Sequence, residues 1–139
     1  MTLHGRCLCG KVKVEVDDSK EPVTTALCHC TNCLSTSSGV ASVVSILSED
    51  SVKLSGTIKQ YEDKTTSSGK ALTRSFCSEC GSPVSSVSPN FPGKVVLKYG
   101  LFGQDHAGKY PKPGVEIYCK NKNPWEPSIE GVKSLEGSF

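Results

Sequence analysis

Phe76-Cys77-Ser78-Glu79-Cys80-Gly81 is the stretch from which the rest of the chain can be read. Two thiols three residues apart with a glycine after the second make a knuckle, the turn in which a chain bends back under a metal ion. Glycine suits that bend because it enters the left-handed backbone region without a Cβ clash. A related unit, Cys7-Leu8-Cys9-Gly10, lies near the start, and a third cluster, Cys28-His29-Cys30-Thr31-Asn32-Cys33, keeps three thiols within six residues. Together the clusters use seven of the eight cysteines. The outer two supply two sulfurs each, and facing one another they would form one closed four-thiolate site. Such a site ties the start of the chain to its middle across a loop of about seventy residues, whose closure is otherwise entropically costly. The central cluster offers three sulfurs and no evident fourth donor. A closed site builds a fold; an open one can do chemistry.

A disulfide framework is the competing explanation. The start, Met1-Thr2-Leu3-His4-Gly5-Arg6, has no apolar run behind a basic segment, which gives the expectation of a reducing, cytoplasmic setting. Cysteines two apart on a strand, such as Cys7 with Cys9 or Cys28 with Cys30, could close a disulfide only under strain. Eight cysteines in 139 residues is about 6%, below the roughly 8–10% of disulfide scaffolds. Zinc is therefore the expected cofactor, with two ions per chain, one structural and one catalytic.

The 139 residues are expected to form a single zinc-binding domain, 1–139, with a C-terminal tail from about residue 120. With 36% hydrophobic residues and one Trp, the core is thin, and metal binding energy would supplement it. Sixteen basic residues against fourteen acidic ones leave +2, with no basic patch, so nucleic acid is not an expected partner. No apolar run approaches the ~20 residues that span a bilayer, so no membrane partner is expected either. Nothing in the sequence fixes an oligomeric state.

The chain reads as strand after strand. Lys11-Val12-Lys13-Val14-Glu15-Val16 alternates with period two, which marks a half-buried strand with the valines inward. Further strands are expected at residues 22–30, 40–47, 52–54, 57–61, 71–76, 83–87, 94–99 and 115–119, with a turn at Ser48-Glu49-Asp50-Ser51 and a short helical turn at 31–38. The segment from Lys120 through Pro124-Trp125-Glu126-Pro127 to Phe139 is polar and broken by prolines, so it is expected to run over the surface with Trp125 as its anchor.

Other candidates are weighed by position. His29 lies between Cys28 and Cys30, so in an extended segment its ring points to the opposite face and packs as an ordinary imidazole. Cys119 is alone on a short apolar strand and reads as a small buried hydrophobe. His106, Tyr99 and Tyr118 qualify as acid or base by residue type only, and the catalytic residue is unassigned.

Three thiolates load zinc with negative charge, which makes it a weaker Lewis acid than a three-histidine site would. Such an ion readily exchanges water for a soft ligand, and a substrate thiol is the obvious one. Making or breaking a carbon–sulfur bond is the chemistry this ligand set favours.

From Gly5-Arg6-Cys7-Leu8-Cys9-Gly10 through Cys28-His29-Cys30-Thr31-Asn32-Cys33 to Phe76-Cys77-Ser78-Glu79-Cys80-Gly81, the chain resembles the glutathione-dependent formaldehyde-activating enzyme family, which shares its domain with centromere protein V. Ser38-Gly39, Leu54-Ser55-Gly56 ahead of Tyr61, the approach from Arg74 to Cys77, and Pro124-Trp125 follow the same pattern in order. The resemblance implies a mainly β fold of small antiparallel sheets around zinc, also found in a group of guanine-nucleotide-exchange chaperones. It implies Cys7, Cys9, Cys77 and Cys80 as ligands of a structural zinc, and Cys28, Cys30 and Cys33 as ligands of a second. It further implies a carbon–sulfur lyase that forms S-hydroxymethylglutathione from glutathione and formaldehyde. Two positions depart from the pattern: Leu34 stands where many members have a basic or amide residue, and Glu116 where many have His. The expected partner is thus a small-molecule thiol or thiol adduct, glutathione or a related sulfur-conjugated metabolite. The alternative is a non-catalytic zinc-binding module that docks other proteins.

Overall fold

The alternating valines do form a strand, and the way it pairs organises half of the molecule. In the computed structural model, which describes residues 2–139 and leaves Met1 outside, the elements run β1 (Thr2–Arg6), β2 (Val12–Asp17), β3 (Ala26–Cys28), α1 (Thr31–Ser37), β4 (Ser42–Ser48), β5 (Val52–Gly56), β6 (Ile58–Asp63), β7 (Leu72–Cys77), β8 (Pro83–Val87), β9 (Lys94–Lys98), α2 (Gly103–His106), β10 (Val115–Ile117) and β11 (Lys133–Ser134). β2 is the centre of an antiparallel three-stranded sheet, β1-β2-β5. The remaining strands form one eight-stranded sheet in the order β11-β10-β3-β4-β9-β8-β7-β6. Pairing there is antiparallel except that β10 lies parallel to both β3 and β11. The mainly β expectation holds. Among the described residues no helix is long and apolar enough to cross a membrane.

One buried cluster joins the sheets. Val12, Val14 and Val16 from β2 meet Leu47, Val84, Val95 and Leu97 from the larger sheet, closed off by Phe102. Each such side chain, fully buried, contributes about 1.5–3 kcal/mol relative to exposure. Because side chains alternate across a strand, the partners of these core residues face the other way. Val95 and Leu97 enter the core, whereas Val96 and Lys98 on the same strand line a cavity on the opposite face. Gly56 permits the close approach of β5 to β2: its φ is +109°, and a Cβ there would lie 1.8 Å from the Lys11 carbonyl oxygen.

Several expectations are corrected. Of residues 22–30 only Ala26–Cys28 is strand, since Pro22 has no N–H for a ladder and the Thr24 carbonyl accepts from the Ser45 hydroxyl instead. The strand expected at 115–119 stops at Ile117, because Tyr118 turns into the left-handed region at φ 57°. Tyr99 leaves β9 for a 3-10 turn, Tyr99–Phe102, that runs into α2, and the first strand, β1, had no alternation to announce it. Trp125 does not anchor the tail, being 71% exposed. The tail is held by its backbone: β11 adds to β10, Leu135 N–H donates to Glu116, and the N–H groups of Cys119 and Tyr118 donate to Leu135 and Gly137.

Candidate metal centres

The first cluster forms where two hairpin connections meet. Cys7 and Cys9 sit between β1 and β2, Cys77 ends β7, and Cys80 follows in the turn to β8. Gly10 and Gly81, at φ +81° and +76°, take the left-handed positions that both turns need. All eight cysteines are free. The Cys7 and Cys9 sulfurs are 3.6 Å apart and those of Cys9 and Cys77 3.7 Å. A disulfide needs about 2.05 Å, whereas tetrahedral zinc with bonds of about 2.3 Å sets its sulfurs roughly 3.8 Å apart. The donor set therefore fits a four-coordinate soft metal.

Surrounding donors favour ionisation of Cys77 and Cys80, while burial and the sulfurs around it push Cys9 up to about 11. Val12 N–H points at Cys7 Sγ (3.2 Å) and Glu79 N–H at Cys77 Sγ (3.4 Å). The Ser82 hydroxyl, 3.2 Å from Cys80 Sγ, with the Cys9 backbone behind it, brings Cys80 down to about 5. The Thr57 hydroxyl, 3.4 Å from Cys77 Sγ, lowers that thiol too.

The second cluster is assembled from a strand end and a helix start. β3 delivers Cys28, the chain leaves the sheet at His29, and Cys30 caps α1, its sulfur accepting the Cys33 N–H at 3.3 Å. Cys33 lies in the first helical turn, buried with Cys28. The three sulfurs lie within 4.8 Å of one another, and among the described residues no other Cys, His, Asp or Glu brings a ligand atom into the group. Hydrogen bonds from Cys28 and Cys33 hold Cys30 down at about 2, while the same sharing with Cys30 pushes Cys28 up. Cys33 also rises, since Cys30 and burial outweigh the lowering by Cys28. The trio thus places its negative charge on Cys30, and a cation bound among the three sulfurs would favour ionisation of the other two.

Two buried polar groups fix this ligand loop. His29 is 2% exposed, with Nδ1 2.8 Å from the Val40 carbonyl oxygen and Nε2 2.9 Å from Glu116 Oε1. Lys122 Nζ reaches the same carboxylate at 3.3 Å, and Asn121 donates to the His29 carbonyl at 3.0 Å. On the other side Asn32 Nδ2 donates to Asp63 Oδ2 (2.9 Å), which also accepts from Arg74 Nε (2.8 Å). Burial raises the Asp63 pKa, but the Thr65 hydroxyl and N–H and the Arg74 guanidinium overcome it and hold the group at about 2. Neither Asp63 nor Lys122 stood out in the sequence, where each is one charge among many polar residues.

Above the trio opens a cavity of about 580 Å³. One face of the large sheet forms its floor, with Val44, Ile46 and Val96 as apolar surface and Ser86, Lys98 and Arg74 as polar points. Of the acid–base candidates only Tyr118 reaches it, at the rim, its Oη 3.0 Å from Ser67 Oγ. Tyr99 is buried, its ring centroid 4.8 Å from those of Phe102 and Tyr110. His106 ends α2 beside Phe102, and Cys119 is half-buried with its thiol donating to the Glu116 carbonyl oxygen at 3.5 Å. None of these three lines the cavity, and neither does Leu34.

Fold and sites define a mainly β protein with two cysteine clusters, each of which could hold a metal ion. The chain belongs to the glutathione-dependent formaldehyde-activating enzyme family, whose pattern matches residues 2–121. A crystal structure of a Rhodobacter sphaeroides protein is similar in fold, with a TM-score of 0.57 and 15% identity, covering 78% of this chain and 98% of that one. No curated protein matches the sequence.

Proposed function

We propose that the chain is a zinc-dependent carbon–sulfur lyase that acts on a thiol adduct, either S-hydroxymethylglutathione or a related sulfur-conjugated metabolite. One zinc is held by Cys7, Cys9, Cys77 and Cys80 and is structural; a second is held by Cys28, Cys30 and Cys33. The observation that carries this reading is the three-thiol cluster under an open cavity, with no fourth protein donor among the described residues. Family membership supports the reaction class.

Cys28, Cys30 and Cys33 would hold the ion, which would supply a soft acceptor that favours a thiolate over a thiol at neutral pH. The chain's own part is orientation and exclusion of water. Cys28 comes from a rigid strand, while Cys30 and Cys33 are fixed by the helix start and the His29–Glu116 pair. Val44, Ile46, Val96 and Ile117 give the reacting carbon an apolar wall. In the synthetic direction the sulfur pair forms a bond to the carbonyl carbon, the carbonyl π bond breaks with its pair moving to oxygen, and that oxygen takes up the proton the thiol gave up. The reverse path breaks that bond and returns the pair to sulfur.

The test is spectroscopic. Zinc-loaded protein is titrated with glutathione and smaller thiols while X-ray absorption reports the number of sulfurs around the metal. Average sulfur coordination is expected to rise on thiol addition. An unchanged first shell at saturating thiol would overturn the lyase reading and favour the protein-docking module.

A further inference from the structure

The cavity holds one buried ammonium that, among the described residues, no protein group hydrogen-bonds. Lys98 is 8% exposed, and among the described residues its ammonium takes part in no hydrogen bond or salt bridge. An ammonium desolvated without partners is costly, so a central strand seldom keeps one idly. Its position follows from register. Lys98 on β9 faces Val44 on β4, which faces Ala26 on β3, and Cys28 lies two residues further along β3 on the same side. Burial disfavours its charge most, the Cys33 sulfur favours it, the Arg74 guanidinium opposes it, and the Cys28 and Cys30 sulfurs favour it again.

The other cations of the cavity are differently placed. Arg74 is already engaged by Asp63, and Lys120 is exposed at the mouth, where water screens it. Among the described residues no Asp or Glu lines the cavity. Leu34, which follows the third cysteine, points elsewhere, so a cation for a substrate anion has to come from the sheet.

We propose that Lys98 is the specificity residue of this site: its ammonium takes a carboxylate of the bound sulfur compound, so that the enzyme selects thiols that carry a negative charge close to sulfur. The inference rests on the sulfur-substrate reading above and adds which sulfur compounds are accepted. A plain counter-charge to the three thiols would make a different demand: it would strengthen every thiol complex alike.

The experiment uses an isosteric pair, 3-mercaptopropionate and 3-mercaptopropionamide, bound to the zinc-loaded full chain and followed by calorimetry, with zinc content measured on each sample. Wild type is expected to bind the carboxylate about tenfold more tightly than the amide, the worth of one charge-assisted hydrogen bond. Lys98→Met should bring that ratio near one at unchanged zinc content, and Lys98→Arg should keep most of it. Should Lys98→Met not fold, Lys98→Gln carries the same comparison. A ratio near one in wild type, or a ratio that survives loss of the ammonium, overturns the assignment. Equal weakening of both probes also overturns it and leaves Lys98 as a counter-charge. Failure of both probes to bind wild type overturns the sulfur-substrate reading itself.

Discussion

The two cysteine clusters use the same side chain for opposite ends. On the proposed reading the four sulfurs of Cys7, Cys9, Cys77 and Cys80 would complete the coordination of one ion between two hairpin turns, and Cys7, Cys77 and Cys80 each meet a backbone or hydroxyl donor of their own hairpin. Around Cys28, Cys30 and Cys33 the protein stops one donor short, and the support comes from behind, through His29, Glu116, Asn32 and Asp63. The difference teaches that the number of ligands and what stands beside the sulfurs change together. In one case the neighbour is a turn of the same chain, in the other a cavity floored by a sheet.

The comparison breaks most readily at the closed site. Cys77→Ser should leave a chain that does not fold, because the apparent free energy of a structural zinc, about 10–16 kcal/mol, is also folding free energy. Circular dichroism at 25 °C would show it, and a cooperative native melt would remove the distinction drawn here. Cys33→Ser should fold, carry one zinc instead of two and lose thiol binding. If it unfolds as Cys77→Ser does, both clusters are structural. Between these extremes, Glu116→Ala strips the carboxylate from buried His29 and Lys122 and should cost about 3 kcal/mol in urea unfolding.

Asp63→Asn sharpens the comparison from the supporting side. The folded-state pKa of Asp63 lies below its unfolded value, so its contribution is present above about pH 4 and is lost as pH falls towards about 2. The variant should be less stable than wild type by about 1–2 kcal/mol at pH 7, with the gap closing in acid. A gap independent of pH would mean that the carboxylate's ionisation is not what binds α1 to β7. Trp125→Ala should change stability by no more than about 0.5 kcal/mol, in keeping with its exposure.

The cysteine spacing made the two clusters legible because metal ligands must lie close together and glycine must turn the chain beside them, as Gly10 and Gly81 do. Period-two patterning likewise gave β2, where one face is all valine. It gave neither β1, whose residues 2–6 do not alternate, nor the stop at Tyr118, which depends on a left-handed residue that no proline or glycine marks. Trp125 misled because a lone large aromatic normally packs, whereas here backbone hydrogen bonds to β10 hold the tail. Asp63 and Lys98 were invisible for another reason: a charged residue acquires its meaning from partners distant in sequence, and register alone puts Lys98 on the same face of the sheet as Cys28. In retrospect the signal for Lys98 was a charge closing an apolar run, Val95-Val96-Leu97, on a strand with neighbours on both sides.

The large sheet has the core behind it and the cavity in front, so neighbouring residues on β9 serve different masters. A saturating substitution scan along Lys94–Lys98 should therefore show two interleaved phenotypes: low abundance at Val95 and Leu97, normal abundance with altered substrate preference at Val96 and Lys98. Selection acting on this strand could retune what the proposed site accepts without passing through an unfolded ancestor.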